Sequence, residues 1–163
     1  MSKNDKVDDI LQQWLQERPE LDTGPMAPIG RLYRVFHHLS VDIEAVHKTY
    51  GLTTGEFDVL ATLRRHGRPY CVTPTTLFRT AMLSSGAMTN RLNRLEKKAL
   101  IERLPDPDDR RSLMVKLTAD GLTLINSAVE AHLKKEHDLM AMFSEEEQQA
   151  LNILLRKWLA AFE

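Results

Sequence analysis

Four things are scarce in this sequence, and each scarcity removes a class of protein. Cys71 is the single cysteine in 163 residues, so an intramolecular disulfide is excluded and a secreted, disulfide-stapled fold is not expected. No apolar run approaches the roughly 18 residues of a membrane span, so no membrane partner is expected. The first residues, MSKNDKVDDI, lack the apolar core of a signal peptide, and the expected compartment is the cytoplasm. Metal-ligand and catalytic spacings are missing as well. The His37-His38 pair and His47 do not follow a zinc motif, and there is neither a phosphate-binding glycine loop nor a nucleophile elbow. Asp106, Asp108 and Asp109 lack the EF-hand pattern and read as carboxylates that solvate a turn. The expectation is no catalytic residue, no metal, no cofactor and no enzyme activity.

What is present is an uneven charge. The net charge is −1, yet Arg64 to Lys116 holds 12 Lys/Arg against 5 Asp/Glu, leaving 10 against 18 elsewhere. A basic middle between acidic ends suits a phosphate-facing module, although chance clustering of solvated charges gives the same sum.

Periodicity organises the chain. Val7, Ile10, Leu11, Trp14 and Leu15 recur at helical spacing over Val7–Gln16. Pro19, Gly24, Pro25 and Pro28 read as a linker. From Ile29 to Tyr50, Leu32, Phe36, Leu39, Ile43, Val46 and Tyr50 step by four and three, a narrow seam suited to a partner helix, and Gly51 stops it. Thr53 and Glu56 form a capping box opening a helix to about His66. Thr73-Pro74 opens a short helix to about Met82, and Ser84 caps another to about Lys98. Strand-like runs Leu100–Leu104 and Leu113–Leu117 flank a polar loop. Thr118 caps a long helix through Met140. Ser144 and Glu147 cap a last one carrying Leu151, Leu154, Leu155, Trp158, Leu159 and Phe162.

This order predicts a mainly α fold with a small β-hairpin wing: a winged helix-turn-helix flanked by N- and C-terminal dimerisation helices. One domain is expected over 1–163, with 7–50 and 119–163 as dimerisation helices and 53–118 as the DNA-binding lobe.

Between Ser84 and Lys98, at roughly 100° per residue, Met88, Leu92 and Leu95 fall on one side with Ala99 behind them. Ser85 and Gly86 lie at the helix start, where the backbone can approach a phosphate. Thr89, Asn90, Asn93, Arg94 and Lys97 occupy the other side, a set matched to base edges and phosphates. An ordinary amphipathic surface helix has a similar face. The hairpin adds Arg110 and Arg111 at its tip, where an Arg can enter a narrow minor groove, with Asp109 placed to orient Arg111.

The stretch SSGAMTNRLNRLEKKALIERLPDPDDRRSLMVKLTADG, Ser84 to Gly121, resembles the recognition helix and wing of the MarR family of bacterial regulators. The resemblance implies a homodimer on double-stranded DNA with a pseudo-palindromic operator, the recognition helix in the major groove and Arg111 in the minor groove. Trp14, ERPELD, EFDVLATLRR and SSGAMTNRLNRLE are similar to a urate-responsive subgroup, the PecS/HucR-like members. That narrower resemblance implies a repressor released by a small-molecule effector, urate or a related planar aromatic anion, and maps the ligand site onto Trp14, Asp58, Arg91 and Arg103.

The residues themselves support these four unequally. Arg91 lies about 60° from the apolar centre of its helix and points sideways within the protein, as ligand contact or as structural ion pair. Arg103 shares strand parity with Ile101 and is expected to turn inward. Asp58 falls on the polar side of its helix and is expected to be solvated. Trp14 lies on an apolar stripe, as plain packing would also place it. A redox-sensing regulator switched through Cys71 is the alternative, against the usual behaviour of a lone cysteine as a small hydrophobe.

Overall fold

The computed structural model describes residues 4–81, 88–106 and 113–163. It contains seven helices among the described residues: α1 Lys6–Glu17, α2 Met26–Thr49, α3 Thr54–Arg65, α4 Pro74–Thr80, α5 Met88–Lys97, α6 Ala119–Met140 and α7 Glu145–Leu159. Three strands, β1 Cys71–Val72, β2 Ile101–Pro105 and β3 Leu113–Leu117, form an antiparallel sheet in the order β1-β3-β2. The expected hairpin therefore gains a third strand, through Cys71 opposite Lys116 and Val72 opposite Val115. The mainly helical winged architecture is as the pattern predicts.

Side-chain caps start the helices as the sequence requires. Thr53 and Ser144 accept from the amides of Glu56 and Glu147, whose carboxylates return the bond. Thr73 and Thr118 cap α4 and α6. One cap is added and two details differ from expectation. α1 is capped by Asp5, with Asp8 closing the box. α2 begins at Met26, so Pro28 sits in its first turn rather than in a linker; a first-turn amide has no helical acceptor, and proline costs little there. Ala99 leaves α5 with a φ of 54° and is exposed instead of packing behind the apolar side.

The chain divides into two compact units, residues 1–42 and 43–163. In the first, Val7 is buried and its side chain lies on Gly30 of α2, where a Cβ would stand 3.3 Å from it. Arg31 clamps the start of α1, donating to Asp5 at 2.8 Å and Asp8 at 2.5 Å. Both carboxyls are held below the usual carboxylate range, Asp5 chiefly by Arg31 and Asp8 chiefly by the Asp5 amide and then Arg31. Apolar residues Ile29, Leu32, Val35, Phe36 and Leu39 of α2 are exposed.

In the second unit the core is continuous: Leu52, Phe57, Val59, Leu60, Leu63, Leu77, Met88, Leu92, Leu95, Ile101, Val115, Leu117 and Ile125 are buried together. α3 runs through its middle. At the C-terminal end of α2, Gly51 takes a φ of 67°, a conformation that costs glycine nothing, and the chain turns into α3. His47 is 1% exposed and stacks on Phe57 at 4.0 Å, with its Nε2 3.2 Å from Nδ1 of His132 on α6. Glu136 holds the far nitrogen of His132 at 3.1 Å. Burial, then the neighbouring His132, pushes His47 down to a pKa of about 4.

Candidate nucleic-acid interface and ligand residues

α5 has the strongest contrast between its two sides. Met88, Leu92 and Leu95 are buried, while Thr89, Asn90, Asn93, Arg94 and Lys97 are all exposed. The five polar residues that the wheel assigned to DNA thus form one open surface of donors and cations. Ser85 and Gly86, and the wing-tip residues Asp109, Arg110 and Arg111, lie outside the described residues.

The C-terminal end of α5 is fixed from several directions. Lys98 Nζ donates to the Gly51 carbonyl and to Glu56 Oε2, both at 2.9 Å. Burial works against the Glu56 carboxylate, but the Thr53 amide and Lys98 outweigh it and hold the group below the usual carboxylate range. Thr118 donates its hydroxyl to the Ala99 carbonyl at 2.8 Å and its amide to the Leu100 carbonyl at 3.2 Å. Gly121 lets α6 pass directly over Leu100; a Cβ there would stand 2.9 Å from the Leu100 carbonyl carbon and closer still to its oxygen. The sequence pattern did not single out Lys98. Its partner lies 42 residues away, so no local periodicity marks it.

The four residues that the resemblance assigns to a ligand are distributed. Trp14 belongs to the first unit and is 39% exposed on α1. Asp58 is buried at 7%, which corrects the expectation of a solvated side chain: α3 is enclosed on most of its circumference, and Glu56, Phe57, Asp58, Val59, Leu60, Thr62 and Leu63 are all buried. Arg91 is half-buried and lies across Gly55, where a Cβ would stand 2.9 Å from its Cζ. Gly55 and Asp58 are three residues apart on one face of α3, so Arg91 adjoins the turn carrying the buried carboxylate. Arg103 does face inward from β2, as parity predicts, opposite Val115. Its Nη2 donates to Asn93 Oδ1 at 2.6 Å and its Nη1 lies 3.3 Å from Glu96 Oε2. Asn93 and Glu96 project roughly 140–160° around α5 from Arg91. The structure therefore brings Arg91 to the Asp58 side and Arg103 to the opposite side of the same helix.

Cys71 sits half-buried in β1. Burial pushes its thiol up, against the weaker opposite influence of Lys116, which disfavours the thiolate that peroxide sensing requires. Among the described residues no group of three or more His, Cys, Asp or Glu could hold a metal ion, and no helix is long and apolar enough to cross a membrane.

Residues 50–112 match the family model described as "MarR family". The chain is 43% identical over 155 residues to the "HTH-type transcriptional regulator PecS" of Dickeya dadantii, covering 95% of this chain and 93% of that protein. It is 34% identical over 132 residues to the "Multiple antibiotic resistance protein MarR" of Salmonella typhimurium, covering 80% and 90%. A crystal structure of mutant MarR from Escherichia coli complexed with operator DNA superposes with a TM-score of 0.73 at 29% identity, over 85% of this chain and 99% of that one.

Proposed function

The chain belongs to the MarR family as a DNA-binding, PecS-like transcriptional regulator, and from that premise we propose that it is a homodimeric repressor released from a pseudo-palindromic operator by a small planar anion such as urate. The observation that carries the DNA reading is the exposed face of α5, with Thr89, Asn90, Asn93, Arg94 and Lys97 set opposite a fully buried side. In this reading Asn90, Asn93 and Arg94 meet bases or adjacent phosphates. Lys97 meets a phosphate, and Ser85 and Gly86 approach the backbone. Arg110 and Arg111, oriented by Asp109, extend the wing to the minor groove. Half-sites lie about one helical turn apart, roughly 34–36 Å, as two-fold symmetry demands.

Two units support dimerisation separately. α2 exposes Leu32, Phe36 and Leu39, α7 exposes Leu151, Leu154, Leu155, Trp158 and Leu159, and Phe162 is exposed just beyond its end. The helices assigned to 7–50 and 119–163 are thus proposed as the interface, and 53–118 as the reading lobe.

The ligand switch follows from the chemistry of two arginines. A planar oxyanion accepts paired bonds from a guanidinium, and the family resemblance assigns Trp14 to cover its ring. Arg91 belongs to α5 and lies against Gly55 on the turn of α3 that carries Asp58, so an anion arriving there competes for Arg91 and meets repulsion from the buried carboxylate. Recruiting Arg103 as well requires it to leave Asn93 and Glu96. A coupling of about 1–3 kcal/mol lowers DNA affinity roughly 5- to 150-fold.

The test is operator binding titrated with urate. Urate is expected to weaken binding in the wild type, Arg91→Ala to abolish most of the response, and Trp14→Phe to lower urate affinity while sparing DNA binding. Arg111→Ala is expected to weaken binding by about 1–3 kcal/mol. Operator binding indifferent to millimolar urate removes the ligand assignment and leaves the DNA reading standing.

A further inference from the structure

Asn93 is exposed on the polar side of α5, yet its amide is not available in full. Arg103 reaches it from β2 and donates from Nη2 to Oδ1 at 2.6 Å. A guanidinium has only donors, so the atom facing it is the amide oxygen; the orientation of the amide is settled by chemistry. The bond is short and charge-assisted. Arg103 is itself held, with Glu96 Oε2 on its other terminal nitrogen at 3.3 Å and its side chain only 26% exposed.

This matters because an asparagine reads adenine with both ends of its amide, accepting from N6 while donating to N7. Here one lone pair of Oδ1 is occupied, and any further donor approaching that oxygen meets the positive field of Arg103. The same field polarises the amide and strengthens donation from Nδ2. We propose that Arg103 is a positioning residue that sets base specificity: it converts Asn93 from an adenine reader into a donor, so the base pair opposite Asn93 is read through the N7 and O6 acceptors of guanine. The proposal rests on the reading of α5 as the major-groove helix. It goes beyond that reading by giving Asn93 a polarity and Arg103 a task in the ligand-free protein. A group that withdraws Arg103 would therefore change which base is accepted as well as how tightly DNA is held.

The experiment selects bound duplexes from a randomised double-stranded DNA library with the full-length wild type, Asn93→Ala and Arg103→Met. Asn93→Ala identifies the relevant base pair, because preference flattens there. At that pair the wild type is expected to favour G·C over A·T. Arg103→Met is expected to shift the balance toward A·T by roughly five- to tenfold, the low end of what a bidentate base contact discriminates, with other positions unchanged. A merely structural arginine would weaken all positions together. Selection of adenine by the wild type at the Asn93 pair overturns the proposal. That result needs only a surface variant, so it holds even if Arg103→Met does not fold. A folded Arg103→Met with unchanged preference overturns it too. If Asn93→Ala selects the same motif as the wild type, both the proposal and the assignment of Asn93 to a base fail.

Discussion

α3 and α7 are written in similar language, and the folded chain treats them in opposite ways. Each opens with a capping box and each carries regularly spaced apolar residues. α3 ends with seven residues buried, two of them acidic; α7 ends with none, and leaves Leu154, Leu155 and Trp158 exposed. Periodicity says that a helix has an apolar side, but not whether the covering surface lies in the same chain. For α3 the cover is the second unit's own core. For α7 and the exposed side of α2 it is proposed to be the second protomer, since contiguous exposed apolar surface of this kind marks interaction sites.

Substitutions at matched positions break this comparison most directly. Leu63→Ala opens a cavity at a site with no exposure and is expected to cost about 3–5 kcal/mol of folding stability, read from chemical denaturation. Trp158→Ala should leave the core of the second unit folded by circular dichroism. It should weaken self-association by about 2–4 kcal/mol, as removal of a large interface aromatic does. Sedimentation at micromolar concentration reads that loss as a move from about twice 18.7 kDa toward the monomer. A wild type that sediments as a monomer would end the comparison, because α7 would then be an exposed helix and nothing more.

A smaller effect sharpens the picture inside the covered region. His47 has a depressed pKa of about 4 in the folded chain against an ordinary 6.5, so the unfolded chain binds its proton first as pH falls. Stability from this group is complete above about pH 6.5 and is lost as pH falls through about 4, amounting to roughly 3 kcal/mol. Denaturant midpoints at pH 7 and pH 4.5 should show the decline, and His47→Leu should flatten it. His132, Glu44 and Glu136 surround the site, so an unchanged slope in that variant would reassign the titration to them.

The sequence made the helical order, most caps and the two-sided character of α5 legible, because each depends on residues within a turn or two of one another. It made Asp58 misleading. A carboxylate on the polar side of a helix wheel looks solvated unless the helix is known to be enclosed, and enclosure comes from α5, α6 and the sheet. His47 gave no local signal for its pairing with His132, which is 85 residues distant. Arg103 was half legible: strand parity showed that it turns inward, but its engagement with Asn93 and Glu96 depends on how the sheet meets α5. The five exposed residues of α5 stand where the wheel put them, whereas the residues proposed for the ligand, drawn from four elements, could not be assembled from spacing.

The fastening of α5 at its C-terminal end gives the helix a fixed root. Lys98 is tied to Glu56 and Gly51, the following carbonyls are tied to Thr118, and the backbone at Leu100 is wedged against Gly121. Ten residues extend from that root as a beam of about 15 Å at 1.5 Å per residue, its inner side bedded on the core through Met88, Leu92 and Leu95. Arg91 lies near its far end, so a lateral push there acts over most of the beam's length. A displacement too small to disturb the anchored root is largest at the N-terminal tip, where α5 begins at Met88. Tight fastening at one end would thus let the proposed effector, acting on one side chain, misalign the reading surface without unfolding the domain that carries it.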